Sequence, residues 1–476
     1  MKTFILLAAT WLVSWLCSTL EAAEALKPLN IGNRKQLFVD DHVVARKEHV
    51  RRVLHPAKKE NGGKPIFTEG RFYGTVLHLD GRFRMWWRKP DRTGFGYAES
   101  ADGLHFRKVD NVTGINFAGD YTLSVSFDPH ETDPGHRFKA AYDAPGMRAG
   151  IAHSADGIRW TPYNNGKPVT HRAADTCNQL LWDEDAKTYR LFTRTDFGTA
   201  GGDGEIRGTR SMTNPDVKKD STNWTIVRNW IFDREGKDEH RRRQIYAVND
   251  WIHHGVHFGL MSVYEWPGDT SEGPADLTKR HERDVMNYYL ATSRDGDQWD
   301  LQWIYANQPI VQRGGDGAFD KDLITPASTI VTHDDRHWLY YGGANERHGT
   351  PEVVFPRKHA IGVATLRLDG FISLTADDRS AVVETKPFTL TGDRLEMNVD
   401  ARHGQLRVEI LDTNGDVIKG FEGTQARAID DLRFTPTWSR PLNNLKGKAI
   451  RLRIHLSMAS IYAFQVLSSD REQANQ

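Results

Sequence analysis

The sequence predicts an all-β protein in which a five-bladed β-propeller is followed by a small C-terminal β-sandwich. A strand-turn-strand motif recurs along the chain, no sustained 3.6-residue periodicity interrupts it, and the alternating strands become longer past residue 383. The predicted divisions, for a signal peptide, the propeller, the sandwich and a polar tail, are residues 1–23, 24–382, 383–470 and 471–476.

The repeated motif is an apolar strand that ends in Ser-x-Asp-Gly, with an aromatic residue three positions after the glycine. Asp and Gly supply the local hydrogen bond and the positive φ of a tight turn. The serines of the first two copies, Ser100 and Ser154, are 54 residues apart, which suits a four-stranded blade. Three clear copies and two degenerate ones, which together indicate five blades, lie at 96–106, 150–160, 289–299, 208–225 and 361–371.

Each predicted blade opens with two alternating strands around a turn, the pattern of a β-hairpin. Along the chain, these paired strands lie at 73–87, 121–142, 178–194, 251–264 and 326–342. A polar insertion at 267–283 lengthens the fourth blade. In the predicted sandwich, the alternation is clearest at 405–411 and 449–456.

The charge composition limits the classes of partner that the protein is expected to bind. Lys plus Arg equal Asp plus Glu at 63 each, so no basic field is present to recruit nucleic acid or anionic lipid. A neutral, polar small molecule such as a carbohydrate is the expected partner. Oligomeric state stays open.

The N-terminus has the features of a secretory signal peptide. Lys2 is the charged region and Phe4 to Leu20 the apolar region, with a small-x-small cleavage pattern around Ala23. A membrane anchor is the alternative, but the run is short and holds two tryptophans. The mature protein is therefore expected to be secreted or periplasmic, away from the membrane. Cys177 is then its only cysteine, which excludes an intramolecular disulfide and is best explained as a packed strand residue.

An acid stands just before the predicted inner strand of every blade. In a propeller, inner strands converge on a central funnel, so acids placed there meet at its mouth. Cleavage of a glycosidic bond needs two carboxyl groups, one protonated as acid and one ionised as nucleophile or base. For any single acid, capping of a turn amide explains the residue equally well. The acids found are Glu69, Asp120, Asp175, Asp250 and Asp320 with Asp322, of which Glu69, Asp120, Asp175 and Asp320 are the predicted catalytic residues.

A sugar site also needs aromatic platforms and forked donors. The residues predicted to bind substrate near the mouth are Arg88, Arg194, Trp251 and His348. No metal site or cofactor is predicted, because a strand sends the neighbours His253 and His254 to opposite faces and no cysteine or carboxylate cluster completes a set with His257. A cation in the funnel, such as calcium, is an alternative that the sequence leaves open, although no ligand pattern indicates it. The acids of the repeat turns, excluded as scaffold, are Asp102, Asp156, Asp295 and Asp369.

Several stretches together carry a resemblance to a known group of proteins. These are Leu37-Phe-Val-Asp40-Asp41, the Ser-x-Asp-Gly-x-x-Trp turns, Tyr340-Tyr-Gly-Gly343, the 361–371 stretch and the C-terminal sandwich. The chain resembles exported bacterial family 32-like glycoside hydrolases, which are similar to the five-bladed superfamily of glycoside hydrolase families 32, 43, 62, 68 and 117. The resemblance covers nearly the whole mature chain.

The resemblance implies residue roles. In the superfamily, blade one supplies the base or nucleophile, blade two an orienting acid and blade three the general acid, which implies Glu69, Asp120 and Asp175 respectively. Asp40 or Asp41 competes with Glu69 for the first role. The Trp-Met-Asn-Asp-Pro-Asn-Gly, Arg-Asp-Pro and Glu-Cys motifs of family 32 do not occur in this chain, so fructosidase activity is not implied.

The expected function is that of a secreted glycoside hydrolase acting on a polysaccharide or oligosaccharide. A non-catalytic carbohydrate-binding propeller is the main alternative, because a fold does not guarantee its activity. A polysaccharide lyase is a further one and would need a Tyr or His base beside an Arg or a cation. The sugar, the linkage and the stereochemical outcome stay open.

Overall fold

The computed structural model describes residues 27–91, 93–117, 122–146, 148–170, 177–196, 206–232, 243–266, 283–347 and 359–468. Regular structure in these ranges is almost entirely β, which confirms the all-β prediction. The predicted signal peptide, 1–23, and the polar tail, 471–476, lie outside the described residues. Within the described ranges, no helix combines the length and the apolar character needed to cross a bilayer.

Short strands open the chain: β1 (Gln36–Leu37), β2 (Val44–Glu48), β3 (Val50–Leu54) and β4 (Lys58–Lys59). Three antiparallel sheets of four strands follow, each built in chain order. The first contains β5 (Arg71–Leu79), β6 (Arg82–Arg88), β7 (Phe95–Ser100) and β8 (Arg107–Asn111). The second contains β9 (Leu123–Phe127), β10 (Phe138–Ala144), β11 (Arg148–Ser154) and β12 (Thr161–Pro162). The third contains β13 (Gln179–Asp183), β14 (Thr188–Asp196), β15 (Arg207–Asn214) and β16 (Thr225–Trp230).

A fourth sheet has eight strands and includes β4 from the start of the chain. Its other strands are β17 (Arg243–His253), β18 (Val256–Glu265), β19 (Val285–Ser293), β20 (Leu323–Pro326), β21 (Val331–His333), β22 (Arg336–Ala344) and β23 (His359–Arg367). A short helix, α1 (Gln302–Tyr305), follows β19. The groups β17–β19 and β20–β23 meet through one parallel pair, Met286 with Leu323, whereas the neighbours within each group pair antiparallel.

The remaining strands form a ten-stranded sheet that contains both ends of the described chain. They are β1, β2, β3, β24 (Ile372–Ala376), β25 (Ala381–Thr385), β26 (Phe388–Thr389), β27 (Arg394–Leu411), β28 (Ala426–Phe434), β29 (Ala449–Ser457) and β30 (Ala459–Leu467). The predicted strands at 405–411 and 449–456 lie within β27 and β29. All strands after β23 belong to the ten-stranded sheet, so the change of sheet comes before β24. The boundary predicted at 382/383 falls inside β25 instead. The division into domains stays a prediction.

The repeated Ser-x-Asp-Gly motif forms the same turn in its three clear copies. In the second, the Ser154 hydroxyl accepts hydrogen bonds from the amides of Asp156 (3.2 Å) and Gly157 (2.9 Å), and Asp156 Oδ1 accepts two further amides. Ser100 and Ser293 make the corresponding contacts in their copies. These carboxylates are thus engaged by their own turns.

The glycine of the second copy also lies against an aromatic core. Its carbonyl oxygen accepts hydrogen bonds from the indoles of Trp86 (2.6 Å) and Trp160 (2.9 Å), and Trp86 is completely buried. Gly157 has φ +77° and a Cβ there would stand 2.8 Å from Trp86 Cζ2. The position therefore requires glycine for both its backbone conformation and the space it leaves.

Replacing Gly157 with alanine is expected to lower the free energy of unfolding by about 2–4 kcal/mol, the sum of left-handed strain and overpacking. The matched control is Gly81→Ala, because Gly81 has φ +71° and its Cβ would meet nothing within 4 Å. It should cost only the strain, about 1–2 kcal/mol. Urea unfolding of both variants measures the difference. Equal losses would show that Trp86 shifts without cost.

Candidate functional site

The first strands of the successive sheets are neighbours around a common centre. Contacts join β5 to β9, β9 to β13, β13 to β17, and β20 and β21 back to β5. We call these five segments, with β20 and β21 counted as one, the inner strands. Their arrangement decides which side chains of distant sequence segments can act together.

Side chains from three inner strands, Thr75, Gln179 and Ser328, tie all five together at one level. Thr75 Oγ1 lies 2.5 Å from Ser328 Oγ and accepts a hydrogen bond from the Val125 amide at 2.8 Å. The Gln179 side chain donates to the carbonyls of Asp250 (2.8 Å) and Ser328 (2.6 Å) and accepts from the Asp250 amide (2.6 Å). We call these residues, Thr75, Val125, Gln179, Asp250 and Ser328, the polar plug. It divides the centre into two sides.

A cavity of about 610 Å³ lies on one side of the polar plug. Every inner strand lines this cavity with its plug residue or with residues that come after it in the chain. The later residues include Leu77, Phe127, Trp182, Ile252 and Thr332. The inner strands therefore run in the same direction through the plug. We call this the far-side cavity. The residues that precede the plug lie on the opposite side, the entrance side, where the sequence places the candidate acids.

Tyrosines and arginines dominate the described part of the entrance side. Tyr246 and Tyr264 are buried in a cluster with partly buried Tyr73 and Cys177. The Arg194 guanidinium lies 6.0 Å from the ring centre of Tyr246, and burial raises the pKa of both buried phenols far above their usual value. These tyrosines are therefore neutral, and each phenol can both donate and accept a hydrogen bond. Cys177, predicted to be a packed strand residue, is only partly buried and lies before β13 with φ +59°.

Two of the predicted catalytic acids have described positions, and each is bound to a lysine. Glu69 is about half exposed and forms an ion pair with Lys108 of β8. The carboxyl of Asp320 is completely buried, with Lys59 Nζ at 2.5 Å and the Tyr341 hydroxyl at 2.9 Å. Asp320 is thus held by two strands of its own sheet, β4 and β22. The catalytic roles of both residues stay predictions.

The other predicted catalytic acids, Asp120 and Asp175, lie outside the described residues, as does His348. Arg88 and Arg194 are almost completely buried, in β6 and β14. Trp251 differs from its predicted position at the mouth. It directly follows Asp250 of the polar plug, so it lines the far-side cavity instead, with its ring stacked 4.6 Å from His253.

A buried carboxyl that the sequence did not suggest lies at the end of β18. Glu265 accepts hydrogen bonds from Tyr289 Oη (2.8 Å) and Asn287 Nδ2 (2.5 Å), and Arg243 Nε lies 3.3 Å away. Burial raises the pKa of Glu265, although Arg243 opposes the shift. The environment therefore favours the protonated form of this carboxyl more than water does. The only sequence signal was an acid at the end of an apolar strand.

A second buried ionic group joins β17 and β18 to the third sheet. His257 Nδ1 lies 2.7 Å from Asp250 Oδ2, and its Nε2 lies 3.8 Å from Asp183 Oδ2. Arg190 Nε donates to the same Asp183 oxygen at 2.7 Å. All four side chains are nearly inaccessible to solvent. The sequence singled out Asp250 as an entrance acid and His257 as a metal alternative, whereas the structure pairs them with each other.

Among the described residues, His253, His254 and Asp369 could offer metal ligands, since one ligand atom of each lies within 4.8 Å of the others. Asp369 Oδ1 is already 2.8 Å from His253 Nε2, and its Oδ2 is 2.5 Å from Lys35 Nζ. The lysine ammonium therefore neutralises the carboxylate that a metal ion would need. The residues present fit an ion-paired junction better than a metal centre.

The hydroxyl of Thr75 has a structural role that can be tested. Thr75→Val keeps the shape but leaves the Val125 amide unpaired, so the free energy of unfolding should fall by about 1–3 kcal/mol. Thr75→Ser keeps the acceptor and should lose clearly less. Thermal unfolding followed by circular dichroism compares the two variants. If valine and serine cost the same, the plug hydrogen bond contributes nothing.

No family model and no curated protein matches the chain. Among solved structures, it is similar to a glycoside hydrolase at 13% identity, over 68% of this chain and 92% of that one, with a TM-score of 0.44. It is also similar to the exo-inulinase of Aspergillus awamori (11% identity, 85% and 99% covered, TM-score 0.38). A third similar structure is a family 43 arabinoxylan arabinofuranohydrolase of Bacillus subtilis, at 10% identity over 87% of this chain and 99% of that one, with a TM-score of 0.37. The function proposed below therefore depends on the residues of this chain.

Proposed function

We propose that the protein is an exported glycoside hydrolase that cleaves a polysaccharide or oligosaccharide with carboxyl groups on the entrance side. One observation carries the proposal: five inner strands are tied together at a single level by the polar plug. Residues just before these strands therefore surround one entrance. The sequence places an acid before four of them, namely Glu69, Asp120, Asp175 and Asp320, whereas the acid expected before the fourth, Asp250, lies inside β17 in the plug.

The proposal includes a five-bladed propeller with a C-terminal sandwich. Three sheets of four strands account for three blades. The eight-stranded sheet supplies two more if it is divided at its single parallel pair, with β4 completing the last blade. The ten-stranded sheet, which has its own apolar core, is then the sandwich. This division gives each inner strand one blade.

The proposed chemistry uses two carboxyl groups across the scissile bond. Asp175 donates a proton to the leaving oxygen, and Glu69 acts as nucleophile or as base for water, the roles that the family resemblance implies. Asp120 orients the site. Arg88 and Arg194, which are almost completely buried, are proposed to support the substrate-binding wall of the entrance side. Substrate binding has to release Glu69 from Lys108 before its carboxylate can react.

The test is a screen of the purified chain from residue 24 onward against neutral and acidic polysaccharides and their oligosaccharides, with products separated by chromatography. We expect release of reducing sugar from at least one glycan. Unsaturated products absorbing in the ultraviolet would instead identify a lyase. Failure to cleave any glycan of the panel would contradict the proposal.

A carbohydrate-binding protein without catalysis is the second candidate. The observation in its favour is that both described acids are bound to lysines, Glu69 to Lys108 and Asp320 to Lys59. Such a protein would bind a glycan of the same panel and release no product from it. Binding measured beside hydrolysis therefore separates the two functions.

A further inference from the structure

The far-side cavity has the size and the position of a second ligand site. Its volume of about 610 Å³ lies in the range of small-molecule sites, about 300–1,000 Å³. The polar plug separates it from the entrance side, because the plug hydrogen bonds connect all five inner strands. A molecule in this cavity is therefore bound independently of one at the entrance.

Apolar and aromatic side chains are left partly uncovered in the cavity wall. Leu79, Phe127, Trp182 and Trp251 come from four different inner strands, and all are only half-buried. Covering such a wall with the apolar face of a ligand is favourable, because it removes apolar surface from water. The ligand must bring such a face.

The two indoles are fixed in place before any ligand binds. Trp182 Nε1 donates to Glu184 Oε2 at 2.7 Å, and the Trp182 ring lies edge-on to Tyr189 at 4.8 Å. Trp251 is stacked on His253, with ring centres 4.6 Å apart and planes at 12°. Rings held in this way lose little conformational entropy on binding. Trp251 is also packed against three further rings, those of Phe258, His337 and Phe371. Trp182 is therefore the indole better suited to stack against the C–H face of a sugar ring.

Polar groups at the same wall define the charge of the ligand. Asp128 and Glu184 line the cavity together with one ammonium group, Lys139. Lys139 is already held by Glu131 Oε2 at 3.2 Å, the His136 carbonyl at 2.7 Å and Asp128 at 3.6 Å. Glu184 is ion-paired with Lys187. The one ammonium group of the lining is therefore compensated and is not available to an anionic ligand. The carboxylate oxygens offer acceptors to hydroxyl groups.

We propose that the far-side cavity is a second carbohydrate-binding site that takes a neutral oligosaccharide. Trp182 stacks on a sugar ring and the exposed part of Trp251 contacts a second one, while Glu184 and Asp128 accept hydrogen bonds from the sugar hydroxyls. The choice of a glycan rests on the proposed function, but the binding itself does not require hydrolysis.

The test compares two cavity variants with the wild-type chain. Trp182→Ala removes a stacking surface, and Thr329→Trp fills the cavity from the opposite wall without removing packing, since Thr329 is a half-buried lining residue. Calorimetry with xylohexaose, mannohexaose and cellohexaose is done beside hexagalacturonate, the anionic control. We expect about tenfold weaker binding of the preferred neutral hexasaccharide to Trp182→Ala and loss of cavity binding in Thr329→Trp.

Activity and folding are measured on the same samples. Hydrolysis of a short substrate at the entrance should stay within about twofold of wild type in both variants. If Trp182→Ala does not fold, Thr329→Trp decides. Unchanged hexasaccharide affinity in a folded Thr329→Trp variant, or equal binding of hexagalacturonate in the cavity, overturns the inference. If the protein binds a hexasaccharide in the cavity but hydrolyses no glycan, the inference is supported and the proposed function is contradicted. If the protein hydrolyses a glycan but neither variant changes hexasaccharide binding, the proposed function is supported and the inference is contradicted.

Discussion

Replacing His257 with leucine is expected to lower the free energy of unfolding by about 3–5 kcal/mol, because it leaves a buried carboxyl without its partner. Asp250 Oδ2 would lose the imidazole at 2.7 Å, and Asp250 Oδ1 already has no hydrogen-bond partner among the described residues. Burial raises the pKa of Asp250, and the His257 hydrogen bond opposes that shift. Urea unfolding measures the loss.

The chain contains a matched control for this variant. His105 Nδ1 lies 2.7 Å from Asp102 Oδ2, the same distance and the same atom types, but the two side chains are 86% and 53% exposed. His105→Leu should therefore change the free energy of unfolding by less than about 1 kcal/mol. Similar losses in the two variants would show that burial of the Asp250–His257 pair does not decide its contribution.

The loss should also depend on pH. Burial lowers the pKa of His257, but the Asp250 hydrogen bond and the charges of Asp250 and Asp183 outweigh it, so the pKa is raised. A raised folded-state pKa gives stability that is fully present below the unfolded value of about 6.5 and is lost as pH rises through the folded value. The gap between wild type and His257→Leu should shrink as pH rises above about 6.5 and through the folded value. A gap that widens with pH would contradict this assignment.

Replacing Asp175 with asparagine, or Glu69 with glutamine, is expected to lower kcat by a factor of about 100 to 10,000 on whichever glycan the wild type cleaves. Each amide keeps the shape of the side chain but can neither donate an acidic proton nor attack as an anion. Asp175 lies outside the described residues, so this expectation rests on its place before the third inner strand. Initial rates at saturating substrate measure kcat.

The matched control is an acid that the repeat turn already explains. Asp156→Asn keeps an oxygen acceptor for the amides of Ile158 and Arg159. Its kcat should stay within about twofold of wild type, because it acts in the turn and not on the substrate. Full activity in both Glu69→Gln and Asp175→Asn would remove these two residues from the mechanism.

The features that could be predicted from sequence are the local ones. Ser-x-Asp-Gly specifies its own turn, since Ser154 and Asp156 satisfy neighbouring amides within a few residues. Three clear copies of this motif, two degenerate ones and the absence of helical periodicity are enough to predict an all-β chain. The Asp-Gly turn at 80–81 likewise joins β5 to β6 as predicted.

The parts that could not be predicted depend on residues far apart in the chain. Gln179 has the same local pattern as any strand residue, and its role appears only because it meets Asp250 and Ser328, 71 and 149 residues away. The sequence also cannot show on which side of the polar plug Trp251 lies, because that depends on where the plug crosses β17. Lysine partners of candidate acids, such as Lys59 for Asp320, also come from distant strands.

The pairing of the first strands has a consequence for how the chain reaches its folded state. Gln36 pairs with Phe464 in the ten-stranded sheet, and Lys59 pairs with Ala364 in the eight-stranded one. During synthesis, β1, β3 and β4 therefore emerge long before their partners exist, and their edges stay open until then. Such distant pairing slows folding. Loss of β1 would leave an edge of β30 unpaired, and loss of β4 would leave an edge of β23 unpaired, so each of these two sheets depends on a strand from the start of the chain.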